Sequence, residues 1–301
     1  MLTVRFWGVR GSIPCPGPDT VKYGGNTTCL EIRADERLII VDFGTGVRSL
    51  GRHLIANDLK KRGKIEADIF VTHTHWDHIL GFPVFAPAFI PGTVLRITGP
   101  ISFESDSLEK IIENQLSYHY WPVRAGELTA KIEFNQISET TLDLGGGLTV
   151  TSKFLNHTIL CLGYRFDYQG KSITAVFDHE PFRNLFSHDP AKEGFDEKEA
   201  EEGELAAQAE NEKIINFMKD SDIVIHDAQY SEAEYSLHLG WGHASYIHAV
   251  SSSISAGVKK LVFFHHDPEH TDKQLKQLEK IYVKKSPVKI MMAKEGMILQ
   301  A

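Results

Sequence analysis

Residues His73, His75, Asp77 and His78 fall within six consecutive positions, in the run Thr72-His73-Thr74-His75-Trp76-Asp77-His78. Imidazole and carboxylate groups suit zinc, manganese or iron, and such a set needs no thiolate. The run follows a largely apolar segment, Ile65 to Val71, that reads as a buried strand. Buried polar groups without partners cost roughly 1–3 kcal/mol each, so four of them here would be a poor choice without a metal. The stretch therefore reads as the core of a two-metal hydrolytic site. An aspartate can bridge two ions about 3.5–4 Å apart, and a water between them becomes a hydroxide near neutral pH. Zinc is the first expectation, with manganese or iron as alternatives.

The elements that must position these groups are strands. His157, Asp178 and His265 each follow a segment that reads as a strand, and in layered α/β proteins sites form at strand ends and their loops. His266 is the rival to His265, which comes directly after the apolar run Lys260 to Phe264. Strands are also predicted over Leu2–Trp7, Cys29–Arg33, Leu38–Val41, Val94–Thr98, Ile132–Ile137, Leu148–Leu155 and Asp222–His226. Leu162–Tyr168 and Ser172–Phe177 read as a hairpin about Gln169-Gly170. Helices are expected over Val47–Leu59, from Asp77 to about Phe85, over Ser105–Gln115, from Gly242 to about Ser255, and over Asp272–Lys284. The acidic stretch 189–212 reads as a solvated, partly helical insertion. Strands lead in each half and then alternate with helices, which suggests sheets covered by helices.

The 301 residues are 42% apolar and 24% charged, with a net charge of −8. That is ordinary globular composition, with length for a large core. No linker divides the chain, so we expect one domain over 1–301, with insertions near 100–130 and 181–212. A bulk nucleic-acid binder usually carries a basic excess, which is absent here, whereas local charges could still hold a small anionic substrate. No run approaches the ~20 apolar residues of a membrane span, and the N-terminus lacks a signal pattern. Cys15, Cys29 and Cys161 fit no disulfide framework or metal pair. A cytoplasmic protein is expected, and a homodimer is compatible with the sequence.

The run His73-Thr74-His75-Trp76-Asp77-His78 resembles the HxHxDH signature of the metallo-β-lactamase superfamily, and Asp42-Phe43-Gly44-Thr45-Gly46 resembles its first motif. The resemblance implies an α/β (α+β) fold, a four-layer αββα sandwich with two metals at one edge. It implies that His73, His75 and His157 hold one metal, that Asp77, His78 and His265 hold the other, and that Asp178 bridges. Asp42 would orient a ligand. His226-Asp227-Ala228 with Gly242-His243-Ala244-Ser245 resembles the paired motifs of the ribonuclease Z and cyclic-phosphodiesterase branch. There a histidine protonates the leaving oxygen and an acid orients it. A carboxylate beside an imidazole raises its pKa and fixes its tautomer, so His243 is the expected general acid and Asp227 its partner.

Gln229 stands where the ribonuclease usually has Thr, and no long basic arm is evident. The glycine-rich loops, Gly8 to Pro18 and Tyr23 to Thr27, resemble a bacterial cyclic-phosphate phosphodiesterase subgroup. Arg10 and Asn26 are candidate phosphate or ligand-orienting contacts. Phe82, Phe85, Tyr118, Tyr120 and Trp121 are expected either to stack a base or sugar, or simply to pack. The reading is a dinuclear metal-dependent phosphodiesterase of a small cyclic phosphate, either a cyclic nucleotide or a ribose cyclic phosphate. Asp77 and His243 act at the reacting centre. The alternatives are a ribonuclease Z-type endoribonuclease, another ester hydrolase of this fold, and a non-enzymatic metal-binding scaffold.

Overall fold

The computed structural model describes the 301-residue chain except residues 103–105, 187–194 and 284–285. Ser105 of the expected 105–115 helix, residues 189–194 of the acidic stretch, and Lys284 lie outside the described residues.

Two seven-stranded sheets form the centre. The first contains β1 (Leu2–Gly8), β2 (Cys29–Ala34), β3 (Arg37–Val41), β4 (Glu66–Phe70), β5 (Val94–Pro100) and β6 (Lys131–Ile137). The second contains β7 (Thr141–Asp143), β8 (Leu148–Leu155), β9 (Cys161–Tyr168), β10 (Lys171–Val176), β11 (Ile223–Asp227), β12 (Lys260–Phe264) and β13 (Lys289–Met292). The last strand, β14 (Ile298–Gln300), returns to pair antiparallel with β1. Each sheet begins antiparallel and ends parallel: β3 to β6 run parallel in one, β10 to β13 in the other.

The side-chain period of two explains the layering. Ile39 points between the sheets, while Leu38 and Ile40 point outward. The inner layer joins Val4, Phe6 and Ile32 to Val150, Phe166 and Phe264, and Phe70 meets Tyr164 with ring centroids 5.1 Å apart. The outer face of the first sheet is covered by α1 (Val47–Leu54) and α4 (Leu108–Asn114); α1 continues through a π turn, Ile55–Leu59, into α2 (Lys60–Arg62). The outer face of the second is covered by α5 (Glu197–Met218), α7 (Tyr246–Ser255) and α8 (Asp272–Val283). Short helices α3 (Trp76–Ile79) and α6 (Glu232–Tyr235) lie in loops. This is the four-layer αββα sandwich. Among the described residues, no helix is long and apolar enough to cross a membrane.

Two local readings differ from the sequence expectation. The helix expected to run from Asp77 to about Phe85 stops at Ile79. Pro83 and Pro87 lack an N–H to continue it, and the chain turns instead through 3₁₀ segments Phe82–Val84 and Ala86–Phe89. The acidic stretch contributes α5, capped by the Asp196 side chain on the N–H groups of Lys198 and Glu199. Ala200, Ala207, Ile214, Phe217 and Met218 of α5 are buried.

Candidate metal centre

The site gathers along one edge of the sandwich because the strands that feed it share a direction. β3 and β4 are parallel, as are β10, β11 and β12. β8 and β10 both pair antiparallel with β9 and so point the same way. Their ends deliver Asp42, the 73–78 run, His157, Asp178, Asp227 and His265. Three of these turn out of their strands with left-handed backbone: Asp42 at φ 62°, Asp178 at 46° and His265 at 59°. Such conformations cost on the order of 1–3 kcal/mol each and persist where the surroundings over-determine them.

The ligating atoms of His73, His75 and His157 lie within 4.8 Å of one another, and those of Asp77, His78, Asp178 and His265 form a second such group. Asp178 connects the two. Its Oδ2 is 3.7 Å from His73 Nε2 and 3.8 Å from His157 Nε2, while its Oδ1 is 3.2 Å from His78 Nε2 and 3.4 Å from His265 Nε2. A pair of divalent metal ions fits this arrangement. Nε2 of His73, Nε2 of His78 and Oδ1 of Asp178 are buried and make no hydrogen bond among the described residues. Left so, they would be costly. Nitrogen and oxygen donors without thiolate match zinc or manganese. His73, His75 and His157 would hold one ion, Asp77, His78 and His265 the other, and Asp178 would face both.

In His157, His78 and His265 the Nδ1 is tied to an acceptor, which turns Nε2 toward the centre. His157 Nδ1 donates to the Gly242 carbonyl at 3.0 Å. His78 Nδ1 donates to Asp42 Oδ2 at 2.7 Å, and Asp42 also accepts from the Thr72 N–H and hydroxyl. His265 Nδ1 donates to Gln229 Oε1 at 2.9 Å. His266, the sequence rival, turns away to the Ala293 carbonyl at 3.0 Å. Burial holds the pKa of His73 well below its usual range and that of His157 down at about 4, which keeps both in the neutral, ligating form. Burial also opposes charge on His78, but Asp178, Asp77 and Asp42 outweigh it and push its pKa up.

His243 stands at the rim of this centre. Its Nδ1 lies 2.9 Å from Asp227 Oδ2, and its ring stacks on His265 at 4.9 Å. Burial disfavours its charged form, yet Asp227, Asp178 and Asp77 prevail and raise its pKa to about 9. An imidazolium there can give a proton to a departing oxygen. Asp227 Oδ2 also accepts the N–H groups of His179 and Ala244, which fixes the carboxylate. His226, the neighbour of Asp227, is buried with His179 and packs against the half-buried His248.

A cavity of about 440 Å³ opens over the centre, lined by Ser12, Thr74, His75, Trp76, Asp77, Asp178, His243 and His265. The glycine-rich N-terminal loop closes one side. Its Ser12 N–H donates to Asp77 Oδ2 at 2.8 Å, and Gly11 packs so tightly that a Cβ there would come within 2.4 Å of the His265 ring. Arg10 and Asn26 do not line this cavity. Arg10 is fully buried, and its guanidinium donates to the carbonyls of Gly24, Asp267 and His270. Asn26 is held by Glu295 through both its backbone and side-chain nitrogens. They brace the loop. Phe82 and Phe85 are core residues against Phe43, at 5.2 and 5.7 Å.

Three contributors escaped the sequence reading. Gln229 was noted only as a departure, yet it orients His265. Ser12 touches a ligand. Glu180 is buried, and its carboxylate accepts the N–H groups of Gly240 and Gly242 at 2.9 Å. Its one sequence signal is a position two residues beyond Asp178.

Fold and site together define a metal-dependent hydrolase with a two-ion centre. Part of the chain is similar to the metallo-β-lactamase superfamily. The profile of the "Metallo-beta-lactamase superfamily" matches residues 23–158. Ribonuclease Z of Streptococcus equi subsp. equi is 27% identical over 273 residues, spanning 79% of this chain and 82% of the relative. The metallo-beta-lactamase fold protein YhfI from Bacillus subtilis superposes with a TM-score of 0.66 at 16% identity, covering 100% of this chain and 99% of that one. The short form of human tRNase Z superposes with a TM-score of 0.62 at 17% identity, covering 99% and 98%. These two structural likenesses carry the fold.

The relatives overturn one expectation. The acidic balance had argued against a bulk nucleic-acid substrate, yet relatives that align over four-fifths of their length are ribonucleases. A net charge of −8 sums the whole surface. Binding of a polyanion is governed by the field at the site, where divalent ions are the largest local charges.

Proposed function

We propose that the protein is a phosphodiesterase that cleaves RNA in the manner of ribonuclease Z. What carries the reading is His243 held by Asp227 beside a two-metal ligand set, on a chain similar to ribonucleases Z over most of its length. When bound, two divalent ions neutralise phosphate charge and activate water. The chain's own residues do the rest. Asp42, Gln229 and the Gly242 carbonyl hold His78, His265 and His157 in the tautomers that present bare nitrogens. Asp227 orients His243, whose proton passes to the oxygen that leaves as the phosphodiester breaks. The stacked ring of His265 restricts His243 to one orientation.

The finer sequence expectation, a small cyclic phosphate, uses the same residues. The observation in its favour is the cavity of about 440 Å³ over the centre, within the size range of small-molecule sites. One experiment separates the readings. Metal-loaded protein is given precursor tRNA, 3′,5′-cyclic nucleotides and ribose cyclic phosphate at low salt. Preferred cleavage of the precursor at a single position supports the ribonuclease reading. Turnover confined to the cyclic phosphates replaces it with the second, and hydrolysis of none of them removes both.

A further inference from the structure

Trp76 sits between the ligands His75 and Asp77, and the residue is 81% exposed. Trp is seldom left in water, because its ring carries a large apolar area. Here the backbone is pinned on both sides by site residues, so the ring is presented on a rigid support. It forms the boundary between two spaces. On one side is the cavity over the metal centre, and on the other a groove of about 660 Å³. Thr74 and Trp76 line both, so the groove adjoins the site.

The groove has a chemistry of its own. Trp76, Leu80, Pro83, Ile111, Tyr120 and Trp121 supply apolar and aromatic walls. Tyr120 is 80% exposed. Asn114 and Gln115 also line it, and Asp106 is the charged member. No Lys or Arg is among the described lining residues. Such a surface does not attract a phosphate. It suits a flat, uncharged, hydrogen-bonding ring, whose faces stack on aromatics and whose edge meets side-chain amides. Neither His243 nor Asp227 lines it, so it lies apart from the proton donor.

We propose that this groove is a nucleobase subsite. It holds the base of the nucleotide that keeps the phosphate, stacked on Trp76 with Tyr120 and Trp121 beyond it. The inference rests on the phosphodiesterase reading for its substrate class. It predicts a contribution from the base itself, separate from that of the phosphate. Rigid presentation of Trp76 makes the stacking cheap in conformational entropy.

The test is binding rather than cleavage. Adenosine 5′-monophosphate and ribose 5-phosphate are titrated into metal-loaded protein by calorimetry, with tryptophan fluorescence as a second signal. Wild type should bind the nucleotide roughly 5- to 100-fold more tightly than the sugar phosphate, and the nucleotide alone should quench fluorescence. Trp76→Ala and Tyr120→Ala should each shrink that ratio towards one, while Trp76→Phe keeps most of it. Tyr120 lies well outside the ligand run, so its variant tests the groove even if Trp76→Ala disturbs metal binding. Equal affinity for the two compounds in wild type, or an unchanged ratio in Tyr120→Ala and Trp76→Ala, overturns the subsite. A protein that shows the base preference but cleaves no phosphodiester would instead refute the functional reading.

Discussion

Asp42 Oδ2 lies 2.7 Å from Nδ1 of His78, with both side chains wholly buried. Asp42 stands at the end of β3 and His78 in α3, the short helix after β4, so one strand end reaches across to aim a candidate ligand that follows the next. Asp42→Asn removes the charge that supports His78 without emptying its space. We expect metal affinity to fall about 10- to 100-fold, read by chelator competition. Unchanged affinity would mean that Asp42 only packs.

His243→Ala should retain metal and lose turnover. On a substrate with a poor leaving group the loss should be about 10²- to 10⁴-fold. On an activated nitrophenyl diester it should be small, because that leaving group needs little protonation. Equal losses on both substrates would remove the proton-donor role.

Glu180 holds the loop that delivers His243. It accepts the N–H groups of Gly240 and Gly242, and the Gly242 carbonyl in turn fixes His157. Glu180→Ala leaves the buried Gly242 N–H unpaired, at about 1–3 kcal/mol of stability, measurable by urea unfolding. Turnover should fall as well, and Glu180→Gln should restore much of both. An Ala variant of full stability would show that water replaces the carboxylate.

Gly11→Ala tests the closeness of the N-terminal loop to the centre. Its Cβ would lie 2.4 Å from His265, closer than such atoms approach, so the loop or the ring must shift. Metal stoichiometry should drop while the fold, followed by circular dichroism, is kept. Full metal content would place the loop's give elsewhere.

Asp222 tests pH dependence away from the centre. Burial opposes its charge, but Lys259, the Ser172 N–H and Lys171 outweigh this and lower its pKa. A carboxylate depressed on folding contributes stability that is present above its unfolded pKa of about 3.9 and is lost as pH falls through the folded value. The stability gap between wild type and Asp222→Asn should therefore be constant near pH 7 and close below about pH 4. A gap independent of pH down to pH 3 would show that the ion pairs contribute nothing measurable.

The amino-acid sequence by itself determined the candidate ligand types and the layered class. Ligand-bearing ends after apolar runs are a local signal: His73 to His78 follow β4 directly, and His265 follows β12. Burial on both faces makes those strands continuous apolar runs, which stand out without an alignment. Tertiary structure decided what depends on which strand ends meet. Gln229 could not be matched to His265, nor Glu180 to Gly242, because those pairs are 36 and 62 residues apart and join only when the parallel strands align. His265 and His266 are chemically identical neighbours, and the left-handed turn at His265 is what sends one inward and the other to Ala293. Arg10 looked like a phosphate contact because its charge is visible in sequence and its burial is not. The exposure of Trp76 is a property of the surface that only the folded chain possesses.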